Sequence, residues 1–280
     1  MSASEPIIWI NGDLLPVSRA RISPFDLGFT VGWAAFETLR ARDGIPFAAT
    51  RHWKRLVSSC VILGIAAPTH DVFIHAIMQA IEANKLREAR VRFTVTAGEG
   101  AAPHASNPTC IAYAVPAQDY PKSESVITVP WRQNHRSAIT GAKCASYAGN
   151  MLALTRAHER DAGEAVFANT RGRLCEGATT NIFLTHRGRT VTPPLSSGCL
   201  PGITRELVLE IARAAGLPIE ETDLPMSALG DADEAFLTSS LRGVQPVLKI
   251  DEKKFRKIPG AATRRIAGLY RELVKANTDP

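Results

Sequence analysis

Apolar positions recur along this chain in two rhythms, alternating for short stretches and then spacing by three and four, and their order predicts an α+β protein. Ile7–Ile10 runs into Asn11-Gly12-Asp13, a strand entering a tight turn. Phe36–Arg42 followed by Asp43-Gly44 is a second strand ending in a hairpin turn. The period then becomes helical. Trp53, Leu56, Val57, Cys60 and Leu63 form one stripe, with Thr50 placed to cap its start and Gly64 to end it. A second helix begins near Thr69–Asp71 and sets Ile74, Ile77 and Ile81 on one side. Strand character returns at Val91–Thr96 and Cys110–Val115, before a linker-like stretch at Asp119–Lys122.

The second half opens with a strand at Val126–Trp131 and an irregular stretch as far as Lys143. Tyr147–Arg160 has helical spacing, with Met151, Leu152, Leu154 and Ala157 offered for packing. Short strands at Val166–Ala168, Asn181–Thr185 and Thr190–Thr192 are separated by Gly-containing turns. Thr204–Ala215 is an amphipathic helix stopped by Gly216 and Pro218. Ala235–Thr238 and Val247–Ile250 are late strands, and Ala261–Lys275 is a closing helix. The expected organisation is a small N-terminal α+β domain over 1–118, a linker over 119–124 and a larger α+β domain over 125–280.

Composition narrows the function classes. Of 280 residues, 45% are apolar and 21% charged, which excludes a disordered or fibrous chain. No apolar run approaches the ~20 residues of a membrane span, and the polar opening Met1-Ser2-Ala3-Ser4-Glu5-Pro6 lacks the character of a secretory signal. Cys60, Cys110, Cys144, Cys175 and Cys199 are odd in number and form no CxxC pair. They suggest neither disulfides nor a metal site, and the expected location is the reducing cytoplasm. The net charge of +6 is spread along the chain; its densest cluster, Lys253, Lys254, Arg256 and Lys257, suits a solvated surface better than nucleic acid.

No GxGxxG, GxxxxGK[ST], HExxH or GxSxG motif is present, which counts against hydride transfer, P-loop phosphoryl transfer, zinc hydrolysis and serine-hydrolase chemistry. What remains is a set of separated polar groups. Lys143 sits among small neutral residues, Ile139 to Ala145, where partial desolvation would free its amine for Schiff-base chemistry; a lysine there can equally snorkel to solvent. Glu176 precedes a run of small hydroxyl residues and an apolar strand, fitting a buried acid or an ordinary turn acid. Pro201-Gly202-Ile203-Thr204-Arg205 opens a helix and makes an anion site, unless Thr204 only caps its own helix. Thr238-Ser239-Ser240 offers further hydroxyls, and Arg55 is either a cation for the same anion or an exposed arginine.

Taken in order, these segments resemble the fold-type IV pyridoxal-phosphate enzymes, the family of D-amino-acid and branched-chain aminotransferases and of 4-amino-4-deoxychorismate lyase. The likeness runs from about Ile8 to Ile250. It is carried by Asp26-Leu27-Gly28-Phe29, Phe36-Glu37-Thr38-Leu39-Arg40, His52-Trp53-Lys54-Arg55-Leu56, Gly141-Ala142-Lys143, Glu176 to Phe183, Thr192-Pro193-Pro194-Leu195, Leu200 to Arg205 and Ala232 to Val247. The resemblance implies a two-domain α+β enzyme holding pyridoxal 5'-phosphate, with Lys143 as its Schiff-base lysine and Glu176 as the acid on the pyridine nitrogen. It also implies that Thr179, Thr180 and Asn181 lie in the cofactor segment and that Tyr147 lies near the phenolic oxygen. Arg55, Ile203, Thr204, Ser239 and Ser240 match the phosphate cup.

Departures from the family pattern concern the substrate. Gly32-Trp33-Ala34-Ala35 stands where many relatives read Gly-Asp-Gly, so Trp33 reshapes the pocket mouth. Ala102-Pro103-His104 lacks the arginine of the D-amino-acid enzymes' carboxylate trap, and Val31 stands where branched-chain enzymes often have tyrosine. A substrate carboxylate then falls to Arg40, Arg92, Arg132 or Arg242, each of which also suits a structural role, with Thr38, His104 and Leu241 as neighbouring candidates. The implied activity is transamination between an amino donor and a 2-oxo acid. Aminodeoxychorismate lyase is the alternative, with Thr38 assisting proton transfer, and a non-catalytic pyridoxal-phosphate-binding protein is the remote one. The resemblance further implies a homodimer in which the Ala97–Pro108 loop lends His104 to its neighbour, with no nucleic-acid or membrane partner.

Overall fold

The computed structural model describes residues 5–101 and 104–280, so the first four residues and the Ala102-Pro103 pair of the proposed loop lie outside the described residues. Packing divides the chain into two units: residues up to Asp119 with Ala142–Tyr147 and Asn277–Pro280, and Tyr120–Gly141 with Ala148–Ala276.

The first unit contains β1 (Ile7–Ile10), β2 (Asp13–Pro16), α1 (Leu27–Thr30), β3 (Ala34–Arg42), β4 (Ile45–Pro46), α2 (Ala49–Leu63), α3 (His70–Ala83), β5 (Ala89–Thr96) and β6 (Cys110–Pro116). Its six strands are all antiparallel, in the order β2-β1-β6-β5-β3-β4. Leu39 and Ala41 of β3 and Val91 and Phe93 of β5 meet Leu56 and Cys60 of α2 and Phe73 and Ile77 of α3 in one core. Alternation explains the strands: every second residue of β5 is sealed against the helices. The buried face of α2 differs from its apolar stripe, because His52, Arg55 and Ser59 go inside while Val57 stays half-exposed. Thr50 does not cap α2 either. Ala48 holds the cap position in a left-handed conformation, and Thr50 donates its amide to Asp279 Oδ1 at 2.9 Å. An anion from the end of the chain satisfies the first turn.

The second unit contains β7 (Glu124–Gln133), α4 (Ala148–His158), β8 (Glu164–Asn169), β9 (Leu174–Gly177), β10 (Asn181–His186), β11 (Arg189–Thr192), α5 (Ile203–Ala214), β12 (Ile219–Glu221), α6 (Ala228–Asp231), β13 (Glu234–Ser239), β14 (Gly243–Ile250), β15 (Lys253–Lys254) and α7 (Ala261–Ala276). The sheet runs β12-β11-β10-β13-β14-β7-β8-β9, with β15 on β14. The pairs β11/β12, β14/β7 and β7/β8 are parallel and the rest antiparallel. In α4 the packing residues are Ala153 and Ala157; Met151 and Leu152, read as packing positions, are exposed.

The segment carrying Lys143 belongs by its backbone to the first unit, whereas the sequence reading placed it in the C-terminal range. Phe36 donates its amide to the Lys143 carbonyl at 2.9 Å, Ala145 donates to the Ala34 carbonyl at 2.8 Å, and Ala35 pairs with Cys144. The segment adds itself to the start of β3.

Candidate active site

In the first unit, both backbone polar groups of Lys143 are engaged. Its carbonyl accepts from Phe36, and its amide donates to Ser59 Oγ at 3.0 Å. The Ser59 hydroxyl in turn donates to the Arg55 carbonyl at 2.9 Å. The side chain then runs over aromatic faces, with Nζ 4.3 Å from the Phe36 ring centre and 5.4 Å from that of Tyr147. Those rings pack edge to face at 5.5 Å. An ammonium is attracted by such faces without being neutralised, so the two rings help to hold the side chain in place.

Beside it lies a sealed charge cluster. Arg55 Nε and Nη2 donate to the two oxygens of Glu37 at 2.8 and 2.6 Å, and His52 Nδ1 meets Glu37 Oε2 at 2.6 Å. Burial alone would raise the Glu37 pKa, but the Arg55 charge and hydrogen bonds, with His52, hold it down at about 2. For His52 burial dominates and lowers the pKa, Glu37 pulling the other way, so the ring is neutral and donates through Nδ1. Arg55 is thus buried rather than exposed.

The substrate candidates of this unit separate by partner. Arg92 lays its guanidinium over Phe36, 3.7 Å from the ring centre, and bonds Thr94 Oγ1 through Nε at 3.2 Å; it has no carboxylate partner among the described residues. Arg40 is paired with Glu88 at 3.0 Å. Thr38 lies opposite Arg92 in the β3–β5 ladder. Trp33 donates Nε1 to the Leu63 carbonyl at 2.8 Å, pinning it to the end of α2. Val31 and His104 are exposed.

In the second unit, Glu176 lies on β9 and is not a turn residue. Its Oε2 accepts from the Leu200 amide at 2.9 Å, while Asn181 Nδ2 donates to the Leu200 carbonyl at 3.0 Å. At the next turn a Cβ on Gly202 would come 1.9 Å from Asn181 Oδ1, so any side chain there requires Asn181 to move. Gly202 is the N-cap of α5 and supplies no side-chain bond; Thr204 is buried inside the first turn, so it is not the cap. The first amides of a helix have no intrahelical acceptor, which makes this turn a seat for an anion. Two buried hydroxyls, Thr180 Oγ1 and Thr238 Oγ1, have no hydrogen-bond partner among the described residues. Buried hydroxyls left unpaired are costly, and an anionic ligand rich in acceptor oxygens relieves that cost. In this unit a carboxylate, an uncapped helix start and orphaned hydroxyls suit the ring nitrogen and phosphate of pyridoxal phosphate by chemistry; in the first unit a lysine amine suits its aldehyde.

Other candidates have local employment. Thr179 Oγ1 donates to Glu164 at 2.7 Å. Ser239 Oγ accepts the Arg242 amide at 3.1 Å, next to Ser240 and the half-buried Leu241. The Arg242 guanidinium goes to Glu124, Gln245 and the Gly163 carbonyl at 3.1, 2.7 and 2.9 Å, a structural assignment. Arg132 is exposed and makes a 3.4 Å bond to the Asn169 carbonyl. Glu37, His52 and Ser59 are not singled out as site residues by the sequence. The signal for the last two is present in the spacing of 52, 55 and 59, which sets polar groups on the inward face of α2.

The cysteines are free thiols, and burial pushes Cys60 up to about 12, which makes it inert as a nucleophile. No group of side chains suited to a metal occurs among the described residues, and none of their helices is long and apolar enough to cross a membrane.

Comparison with known proteins supplies the family. The chain is 30% identical over 275 residues to a putative branched-chain-amino-acid aminotransferase of Methanocaldococcus jannaschii, covering 95% of this chain and 96% of that one. It is 29% identical to the aminodeoxychorismate lyase of Bacillus subtilis, covering 96% and 95%. The branched-chain amino acid aminotransferase of Thermobaculum terrenum, solved in its PLP holo-form, superposes with a TM-score of 0.85 at 26% identity, covering 98% and 95%. The fold is that of the fold-type IV enzymes, and the class IV amino-transferase family model matches residues 34–250. With that match across most of its length, the chain belongs to the class IV aminotransferase family.

Proposed function

We propose that this protein moves an amino group between an aliphatic amino acid and a 2-oxo acid, using pyridoxal 5'-phosphate held by Lys143, Glu176, Tyr147, Thr179, Thr180 and Asn181 and, at its phosphate, by Arg55, Ile203, Thr204, Ser239 and Ser240. The observation that carries this reading is Lys143: both its backbone groups are bonded and its amine lies against Phe36. The cofactor supplies an electron sink for negative charge at the substrate α-carbon. Lys143 Nζ takes the α-proton and returns it on the other side of the exchange. Glu176 keeps a proton on the ring nitrogen. Trp33 and Phe36 shape an apolar pocket, and Arg92 receives a carboxylate, its charge being otherwise met by a hydroxyl and a ring.

A half-reaction test reads this directly. Mixing the holoprotein with an aliphatic L-amino acid should convert the cofactor spectrum, and a 2-oxo acid should restore it. Arg92→Met should slow the half-reactions with glutamate and with leucine at least tenfold each, about 1.4 kcal/mol, because both donors present the same α-carboxylate. Unchanged rates with both donors count against the Arg92 role. The lyase relative favours a second reading, in which Thr38 on β3 assists proton transfer. Pyruvate release from aminodeoxychorismate, with no response to 2-oxo acids, would establish it.

The same proposal includes a homodimer in the reducing cytoplasm, with the loop around His104 serving the neighbouring copy. Phe25 and Phe29, 74% and 73% exposed, and Val31 leave an apolar stretch on a single segment, and the cysteines are all thiols. Sedimentation at micromolar concentration should give twice the chain mass; a fully active monomer would remove this part.

A further inference from the structure

The first unit seals inside itself a set of polar groups that its packing does not require. Glu37, His52 and Ser59 are 0%, 1% and 0% exposed, and Arg55 is 9% exposed. Replacing a buried ion pair by apolar side chains of similar volume is often neutral for stability. Its retention here points to what the guanidinium does.

We propose that Glu37 is a positioning residue: its two carboxylate oxygens fix the Arg55 guanidinium for the cofactor phosphate, and the same cluster, through the Arg55 carbonyl and Ser59, fixes the backbone of Lys143. This rests on the reading that Arg55 meets the phosphate. The geometry is continuous. Arg55 faces Glu37 through Nε and Nη2 at 2.8 and 2.6 Å, so the plane of the fork is set by two parallel bonds. His52 Nδ1 holds one carboxylate oxygen from the preceding turn of α2 at 2.6 Å, so the carboxylate itself cannot swing. One turn further on, Ser59 Oγ joins the Arg55 carbonyl to the Lys143 amide at 2.9 and 3.0 Å. On the other side Phe36, the neighbour of Glu37, donates to the Lys143 carbonyl at 2.9 Å. The arginine and the lysine are therefore referred to one point on β3.

The test compares the full-length protein's dissociation constants for pyridoxal 5'-phosphate and for pyridoxal, which lacks the phosphate. Glu37→Gln and Glu37→Asp should each weaken the phosphorylated ligand about tenfold or more, the loss of one charge-assisted bond at 1.4 kcal/mol per tenfold. Pyridoxal binding should move less than about twofold, since Arg55 gives that ligand no charged partner and the Arg55 carbonyl–Ser59–Lys143 bonds use atoms that both Glu37 variants keep. Glu37→Asp retains the countercharge that Arg55 needs in the core, so it carries the comparison if the glutamine variant does not fold. Equal weakening of both ligands, or of neither, overturns the proposal by reducing Glu37 to packing. Arg55→Lys separates the two readings. Phosphate-selective loss there with none in Glu37→Asp sinks only the positioning role, whereas no selective loss in Arg55→Lys sinks the phosphate contact itself. Ser59→Ala should leave phosphate selectivity intact and lower the fraction of cofactor fixed to Lys143 by borohydride; an unchanged fraction removes the Ser59 limb.

Discussion

Lys143→Ala protein is expected to bind pyridoxal phosphate without covalent attachment and to lose turnover by about 10,000-fold, the upper range for removing a positioned proton-transfer group. In the proposed reaction the lysine has two employments, attachment and proton carriage, and alanine ends both. The fold should survive. The anchoring bonds, Phe36 N–H to the Lys143 carbonyl and Lys143 N–H to Ser59, are made by backbone and remain in the variant. What goes is an amine resting on two ring faces, at 4.3 and 5.4 Å from their centres, which contributes modestly to stability. Borohydride reduction followed by peptide mapping reads the result: a fixed adduct on the peptide containing residue 143 in the parent protein and none in the variant. An adduct that persists on another lysine would overturn the assignment, whatever the activity. Added small primary amines should recover part of the proton transfer, because the site around the missing side chain stays built.

Local pattern carried the strands and helices whose burial is regular. In β5 and α3 every buried position is apolar but for Thr96 at the strand's end, and period alone finds them. It failed where burial and polarity part company. The inward face of α2 includes His52, Arg55 and Ser59, whose desolvation is offset by Glu37 on β3 and by a backbone carbonyl. No window along α2 contains those partners. The start of α2 is a similar case. Thr50 has the right residue type for a cap, yet the anion that serves the first turn is Asp279, 229 positions away. In α4 the larger side chains looked like the packing set, but β8 approaches closely over the small residues Ala153 and Ala157 and leaves Met151 and Leu152 outside. Within the candidate site, Lys143 and Glu176 were legible through family motifs. That Lys143 pairs along β3, and that Glu176 sits on a four-residue strand, were not, since both depend on tertiary pairing.

Glu176→Gln should leave cofactor affinity within a few-fold of the parent and slow α-proton abstraction by about 100- to 1,000-fold, the cost of losing one preorganised electrostatic partner. The separation of these two effects follows from the geometry. Glu176 Oε2 accepts the Leu200 amide at 2.9 Å, and a glutamine can turn its carbonyl oxygen to the same donor. The turn from Leu200 to Gly202, braced by Asn181, therefore stays in place, and with it the start of α5 and its anion seat. What changes is charge. A carboxylate on the ring nitrogen favours its protonated state, and an amide cannot, so less negative charge can be drawn from the substrate α-carbon as the proton leaves. In the proposed site, binding rests mainly on the phosphate seat and the lysine, and proton abstraction on the sink. Single-turnover kinetics with an α-deuterated amino donor measure the second, and cofactor titration measures the first. A parent-like abstraction rate in Glu176→Gln would show that another group governs the ring proton. A collapse of cofactor affinity with the rate per bound site unchanged would make Glu176 a structural brace for Leu200. The expected pattern, affinity kept and the isotope-sensitive step slowed, is the one in which the charge of Glu176 acts on the reaction.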